Sequence, residues 1–237
     1  MTAGVRYVRD RIAAVILTAV LGWMLADPDG LGRVLHLVFP DERVVLYERQ
    51  TLTQMFVDHV TVAAAASGVA LVIGGVLGAV LLTPLGRRFE DLVVTIADFG
   101  QTFPSVAVIA LVVPAMGYGW EPVVLALVIY SILPIMLNIV AGVTSVPYDV
   151  VDAARGMGLS ARQRFWHVQL PLAMPVIMGG IKNMLIINVS AATLGALVGA
   201  GGLGVPIMAG IGSFNNALVV EGALPAALLA LIIDQVL

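Results

Sequence analysis

The sequence predicts an all-α, polytopic membrane bundle of about six transmembrane helices, and three observations predict it. Hydrophobic residues fill 60% of the 237 positions and charged residues only 11%, at a mean hydropathy of +1.02. A water-soluble domain cannot bury that much apolar surface. The apolar residues also fall into long runs of the kind that cross a hydrocarbon core of about 30 Å as helices. The charges, finally, gather between those runs, with arginine favouring alternate loops. The chain has no cysteine, which excludes disulfides and thiolate metal sites, and its net charge of −3 with no basic cluster argues against a nucleic-acid partner.

Taken in order, residues 12–26 form a first span, short at about 22 Å of helical rise. Gly22-Trp23-Met24-Leu25-Ala26-Asp27 is a poor signal-peptidase site, so this span is expected to be retained. Residues 27–58 mix charge, proline and hydrophobes and predict an external loop with one interfacial helix. Residues 60–83 are the cleanest span, and Gly68, Gly74, Gly75 and Gly78 predict close approach of neighbouring helices. After a charged turn at 85–91, residues 92–114 form a third span interrupted at Gly100-Gln101-Thr102-Phe103-Pro104. A tight turn at 117–122 leads to a fourth span, 123–144, with Pro134 inside it. Residues 176–198 form the fifth. Residues 199–222 are glycine-rich and weakly charged and are expected to be irregular, re-entering or lining a cavity. Residues 223–237 are the sixth span, which completes its crossing if the helix starts near Val219 or the native chain runs on.

Orientation follows from arginine. With the N-terminus inside, cytoplasmic segments hold Arg6, Arg9, Arg11, Arg87, Arg88, Arg155, Arg162 and Arg164, whereas external segments hold Arg33, Arg43 and Arg49 in one long loop. This is the positive-inside pattern. It puts the longest polar stretch between two apolar segments, residues 152–171 (DAARGMGLSARQRFWHVQLP), on the cytoplasmic side. Asp149 is positioned to cap a short helix, with Asp152 near its positive end. Val150, Val151, Ala154 and Met157 recur at helical spacing as an apolar face. Gly156 and Gly158 let the chain stop and turn. Ser160 and Gln163 make a capping box for a second helix through about His167, which Leu170-Pro171 and Pro175 then end.

The same residues carry a resemblance. Asp152-Ala153-Ala154, Gly158 and Val168-Gln169-Leu170-Pro171 follow the order and spacing of the EAA loop of binding-protein-dependent ABC importer permeases, with Asp152 for the commoner Glu and Val168 for the commoner Ile. The resemblance implies the importer permease (MetI-like) fold as one transmembrane domain over 1–237, with its core at 60–237 and the loop at 146–172. It implies that Asp152, Ala153, Ala154, Gly158, Leu170 and Pro171 form the contact with an ATP-binding cassette subunit. Further stretches are similar to permeases importing glycine betaine, choline and related osmoprotectants: 100–105, Tyr130-Ser131-Ile132-Leu133-Pro134, 192–204 and 222–227. A methionine-type importer shares the glycine-rich run and is the alternative. The implied partners are ATP-binding subunits, a second copy or sister permease, an extracytoplasmic solute-binding protein and membrane lipid, in the cytoplasmic membrane.

No phosphate loop of the G-x-x-x-x-G-K-[ST] kind occurs; the single lysine, Lys182, lies in an apolar helix. No cofactor is therefore expected on this chain, with ATP and magnesium belonging to the partner subunit. His36, His59 and His167 lie far apart, and no Gly-x-Ser-x-Gly sequence occurs, so neither a metal centre nor a hydrolase is predicted. Polar residues inside spans are costly and mark a path or a helix contact. The candidates for the solute path are Asp98, Phe103, Tyr130, Asn138, Asn188 and Thr193. For Asp98 the ordinary alternative is a carboxylate held by Lys182 or by backbone donors. For Asn138, Asn188 and Thr193 the ordinary role is hydrogen bonding between helices. Phe103 and Tyr130 offer ring faces to a cation, or simply pack. An ion-coupled secondary transporter or channel built on Asp98, or a membrane scaffold, are the readings from other classes.

Overall fold

The computed structural model describes residues 3–237, with side chains from Arg9 onward; Arg6, used above for orientation, lies outside the described side chains. Among the described residues every regular element is helical. The principal helices are α1 (Ala3–Ala26), α2 (Pro28–Val38), α3 (Leu52–Leu81), α4 (Glu90–Thr102), α5 (Ser105–Met116), α6 (Trp120–Thr144), α7 (Tyr148–Gly156), α8 (Ala161–Arg164), α9 (Leu170–Ala192), α10 (Gly204–Ser213) and α11 (Asn216–Val236). Four stretches, Leu52–Leu81, Trp120–Thr144, Ala161–Val198 and Asn216–Val236, are long and apolar enough to cross a membrane. Two bent pairs raise the number to six if each is one span: Arg9–Ala26 with Pro28–Val38, bent by 102°, and Gly86–Thr102 with Ser105–Met116, bent by 90°.

Each bend has a local cause. Asp27 halts α1 and caps α2, its Oδ1 accepting from Gly30 N at 2.9 Å, with Pro28 at the first helical position. The helix predicted within residues 27–58 is α2. The predicted interruption of the third span is the α4–α5 break, where Phe103 and Pro104 are extended and Pro104 opens α5. The second predicted span starts earlier than its apolar run: α3 takes in Leu52–Val60 because Thr51 and Gln54 exchange hydrogen bonds across its first turn (3.2 Å each). The glycine-rich stretch is less irregular than predicted. Only residues 199–203 are non-helical between the 3-10 turn Thr193–Val198 and α10, with Gly199, Gly201 and Gly202 at positive φ. The sixth span begins at Asn216, not 223, since Asn215 caps it by accepting from Leu218 N at 3.1 Å.

The chain forms two compact units. The first comprises the described part of Met1–Ala66 with Pro104–Leu127 and Leu185–Leu237. In it α1 and α10 pack on α11, around Met24, Leu31, Leu35, Met55, Leu203 and Ala226. Residues 39–51 have no regular structure, and side chains tie them to α11: Asn215 Nδ2 donates to Val44 O (2.7 Å), Asn216 N to Glu42 Oε1 (3.1 Å), and Tyr47 N to Glu221 Oε2 (2.8 Å). Backbone groups left without a ladder are thereby satisfied.

The second unit comprises Ser67–Phe103 and Val128–Met184. Small residues set its helix contacts, as packing in lipid requires. A Cβ on Gly74 would come within 3.0 Å of Ile132 O and Ile135 Cβ, and one on Gly78 within 3.0 Å of Ile139 Cβ. Gly142 faces Ala173 and Ile177, and Gly180 abuts the Asn138 side chain. Gly68 and Gly75, predicted to do the same, meet nothing within 4 Å, because they lie on other faces of α3.

Two predictions separate these roles. Gly74→Ala should lower the thermal midpoint of the detergent-purified protein, by about 1–3 kcal/mol of overpacking, whereas Gly75→Ala should raise it by up to about 1 kcal/mol from helix propensity alone. Phe214 ends α10 in the left-handed region (φ 56°) with its ring exposed, so Phe214→Gly should stabilise by about 1 kcal/mol in the same melt.

Candidate functional site

The polar stretch between α6 and α9 folds as an elbow within the second unit. Pro147, extended at φ −57° and ψ 135°, occupies the position before α7 and leaves no side-chain cap. Asp149 therefore does not cap, contrary to the sequence expectation; it is the acid of the first turn, complementing the positive helix end. The predicted apolar face shrinks to Ala154, which is fully buried, and half-buried Val151; Val150 and Met157 are exposed. Met157 leaves the face because the helix stops at Gly156.

One glycine makes the turn, not two. Gly156 is helical, whereas Gly158 sits at φ +81°. Gly158 N donates to Arg155 O (2.9 Å) and Leu159 N reaches back to Ala154 O (3.2 Å). This pair of bonds closes the last carbonyls of α7 and requires a left-handed residue between them. No atom lies within 4 Å of where a Cβ would be, so the requirement is conformational. Ser160 and Gln163 then form the predicted capping box: Gln163 Oε1 accepts from Ser160 N at 2.9 Å, and Ser160 Oγ from Gln163 N at 3.4 Å. Arg164 closes the corner by donating to Leu159 O at 2.8 Å.

Leu170-Pro171 does not end the second helix, and neither does Pro175. The helix runs from α8 through a π-turn at Phe165–Gln169 into α9, Leu170 N bonding Phe165 O five residues back. Proline removes one hydrogen bond from the ladder, and the widened turn before it relieves the clash of its ring with the preceding carbonyls, so the helix continues. Of the residues singled out for coupling, Asp152, Ala153, Gly158 and Pro171 are exposed, Leu170 is half-buried and Ala154 is fully buried. Ala154 thus anchors the elbow while Asp152 and Ala153 form its outer surface. Trp166 adds an exposed ring, edge-on to Phe165 at 5.4 Å.

The path candidates divide between the units, Asp98, Phe103, Tyr130 and Asn138 in the second and Asn188 and Thr193 in the first. Asp98 is exposed, and its carbonyl accepts from Thr102 Oγ1 at 3.2 Å. Phe103 packs edge-on against Phe99 at 5.2 Å. Tyr130 accepts at its carbonyl from Gln101 Nε2 (2.6 Å), which pins α4 to α6, while its buried hydroxyl has no hydrogen-bond partner among the described residues. Asn138 and Thr193 do not bond between helices as expected: Asn138 Nδ2 donates to Pro134 O (2.7 Å), the carbonyl one turn back on the same helix, and Thr193 Oγ1 to Ser190 O (2.7 Å). Asn188 is fully buried and engaged.

Two buried polar groups of the first unit have roles that the sequence did not announce; His59 is weighed above only as a metal ligand. His59 Nε2 donates to Val189 O at 2.9 Å, with Gly202 packed against its ring. Glu221 is only 2% exposed and holds Tyr47 N. Each is an ionisable residue inside an apolar helix, a signal that by itself points to function. Glu221 was missed because it borders the glycine run, which drew attention instead.

The comparison with known proteins settles the family. The family model for the binding-protein-dependent transport system inner membrane component matches residues 65–237. The chain belongs to this family. It is 34% identical over 186 residues to the choline transport system permease protein OpuBB of Bacillus subtilis, covering 76% of this chain and 82% of that protein. It is 39% identical over 168 residues to the osmoprotectant import permease protein OsmY of Salmonella typhimurium, covering 71% of each. Among solved structures, the inward-facing MetNI methionine ABC transporter aligns with a TM-score of 0.63 at 20% identity, over 78% of this chain and 94% of that one. An amino acid ABC transporter solved with histidines aligns at 0.66 and 14% identity, over 78% and 89%. Both show that this permease has the importer-permease fold.

Because Gly158 is conformationally required and sterically free, Gly158→Ala should cost about 1–2 kcal/mol and Ser160→Ala about 1 kcal/mol. Both losses should appear as faster amide exchange confined to residues 148–169, with the remaining helices unchanged.

Proposed function

We propose that this permease subunit carries an osmoprotectant such as glycine betaine or choline across the cytoplasmic membrane, driven by a separate ATP-binding subunit that grips the elbow at 148–171. The observation that carries the coupling half is the geometry of that elbow. Two short helices are fixed to one another by the Gly158 turn, the Ser160 capping box and the Arg164 tie, and the second continues into a membrane-length helix. Such a piece transmits displacement, whereas a floppy loop absorbs it. Asp152 and Ala153 on its outer surface supply the contact with the ATPase, and ATP and magnesium reside on that partner. The arginine bias supports a cytoplasmic N-terminus and elbow.

The substrate half rests on relatives named for choline and osmoprotectant transport at 34% and 39% identity. The methionine alternative has structural likeness at 20% identity behind it, which speaks for the fold alone. An extracytoplasmic binding protein delivers the solute, and a second permease, of like or sister chain, completes the path.

Two substitutions test the coupling. Asp152→Lys and Gly158→Pro should abolish solute-dependent ATP hydrolysis and uptake in proteoliposomes holding the complete importer, while membrane insertion stays normal; undiminished uptake by both would overturn the assignment. A panel of choline, glycine betaine, carnitine and methionine, scored by ATPase stimulation, tests the substrate, with stimulation expected from the quaternary amines and not from methionine.

A further inference from the structure

Glu221 does more than hold a loop. A cavity of about 260 Å³ opens beside it in the first unit, between α2, the start of α3 and residues 46–51; Leu31, Tyr47, Arg49, Gln50 and Thr51 are among its walls. The Glu221 carboxylate lies at this cavity, almost wholly withdrawn from solvent, and among the described residues its hydrogen bond is the one from Tyr47 N. That bond occupies Oε2. Arg49 lines the same cavity without forming an ion pair to Glu221 or Glu48 among the described residues. A buried carboxylate with a single neutral donor is under-compensated, and a cation entering beside it supplies what is missing. The cavity walls are mainly apolar carbon, and the volume falls below the roughly 300–1,000 Å³ of sites for drug-sized ligands. That combination suits a compact organic cation with a greasy surface better than a hydrated metal ion, which needs several oxygen ligands.

We propose that the Glu221 cavity is a binding site on the permease itself for a small quaternary ammonium cation, with the carboxylate facing the charged nitrogen and Leu31 and Tyr47 in contact with its methyl groups. The identity of the cation rests on the substrate assignment above; the existence of a cation site does not. It gives the subunit selectivity of its own: solutes without a positive charge leave Glu221 uncompensated and bind less well.

The absence of native cysteine makes the test direct. In the purified complete importer, reaction of Gln50→Cys with a maleimide should be slowed by choline and by tetramethylammonium, and not by sodium or methionine. Adding Glu221→Gln, whose amide oxygen still accepts from Tyr47 N, should weaken that protection on the order of tenfold or more with the thermal midpoint unchanged, and Glu221→Asp should restore part of it. Absence of protection by either cation, or equal protection with Gln at 221, would overturn the site. If Glu221→Gln does not fold, the comparison of tetramethylammonium with methionine on Gln50→Cys alone still decides. Failure of the wild-type importer to take up choline or betaine, with tetramethylammonium protection intact, would instead defeat the substrate assignment and leave the site standing.

Discussion

The structure depends on one constraint: a backbone that leaves a helix in or near lipid must have its N–H and C=O groups satisfied by something other than water. Each interruption of the chain answers it with particular residues. Asp27 and Pro28 close one helix and open the next. The extended pair Phe103-Pro104 separates α4 from α5, with Gln101 reaching across to Tyr130 O. At 199–203 three glycines at positive φ let the chain double back, with Ala200 N on Gly195 O and Val205 N on Gly202 O. The irregular run 39–51 takes a donor from Asn215 and an acceptor from Glu221, and its own Glu42 accepts from Asn216 N. Where the chain does not break, as through Pro134, Pro171, Pro175 and Pro225, the prolines sit inside continuous helices.

The legible part of this fold is the part governed by composition and spacing. Hydropathy marks the spans, the Gly100–Pro104 interruption marks the α4–α5 bend, and Ser160 with Gln163 marks a capping box that forms as written. What misled was local grammar carried over from water-soluble helices. Leu170-Pro171 reads as a stop, yet the π-turn before it lets the helix continue. Asp149 reads as a cap, yet Pro147 already sets the entry angle. Gly68 and Gly75 read as contact glycines, and only the register of α3 against α6 shows that Gly74 and Gly78 are the ones that touch.

The elbow was legible because it is local: its residues lie within 148–171, and the Ser160–Gln163 spacing is a sequence property. The polar residues of the spans were not, since their roles depend on which helix faces them. Asn138 and Thr193 look like cross-links and turn out to bond within their own helices. Glu221 meets a partner 174 positions away, a pairing that no local pattern announces.

The uninterrupted helix from Ala161 to Val198 has a mechanical corollary. In the second unit it leaves the corner at Gly158 and passes through the π-turn without a break. Within that unit a displacement at Ser160 passes into the helix instead of being absorbed in a loop. The π-turn at Phe165–Gln169 is where its hydrogen-bond ladder departs from the α pattern, and such a departure is where a helix bends most readily.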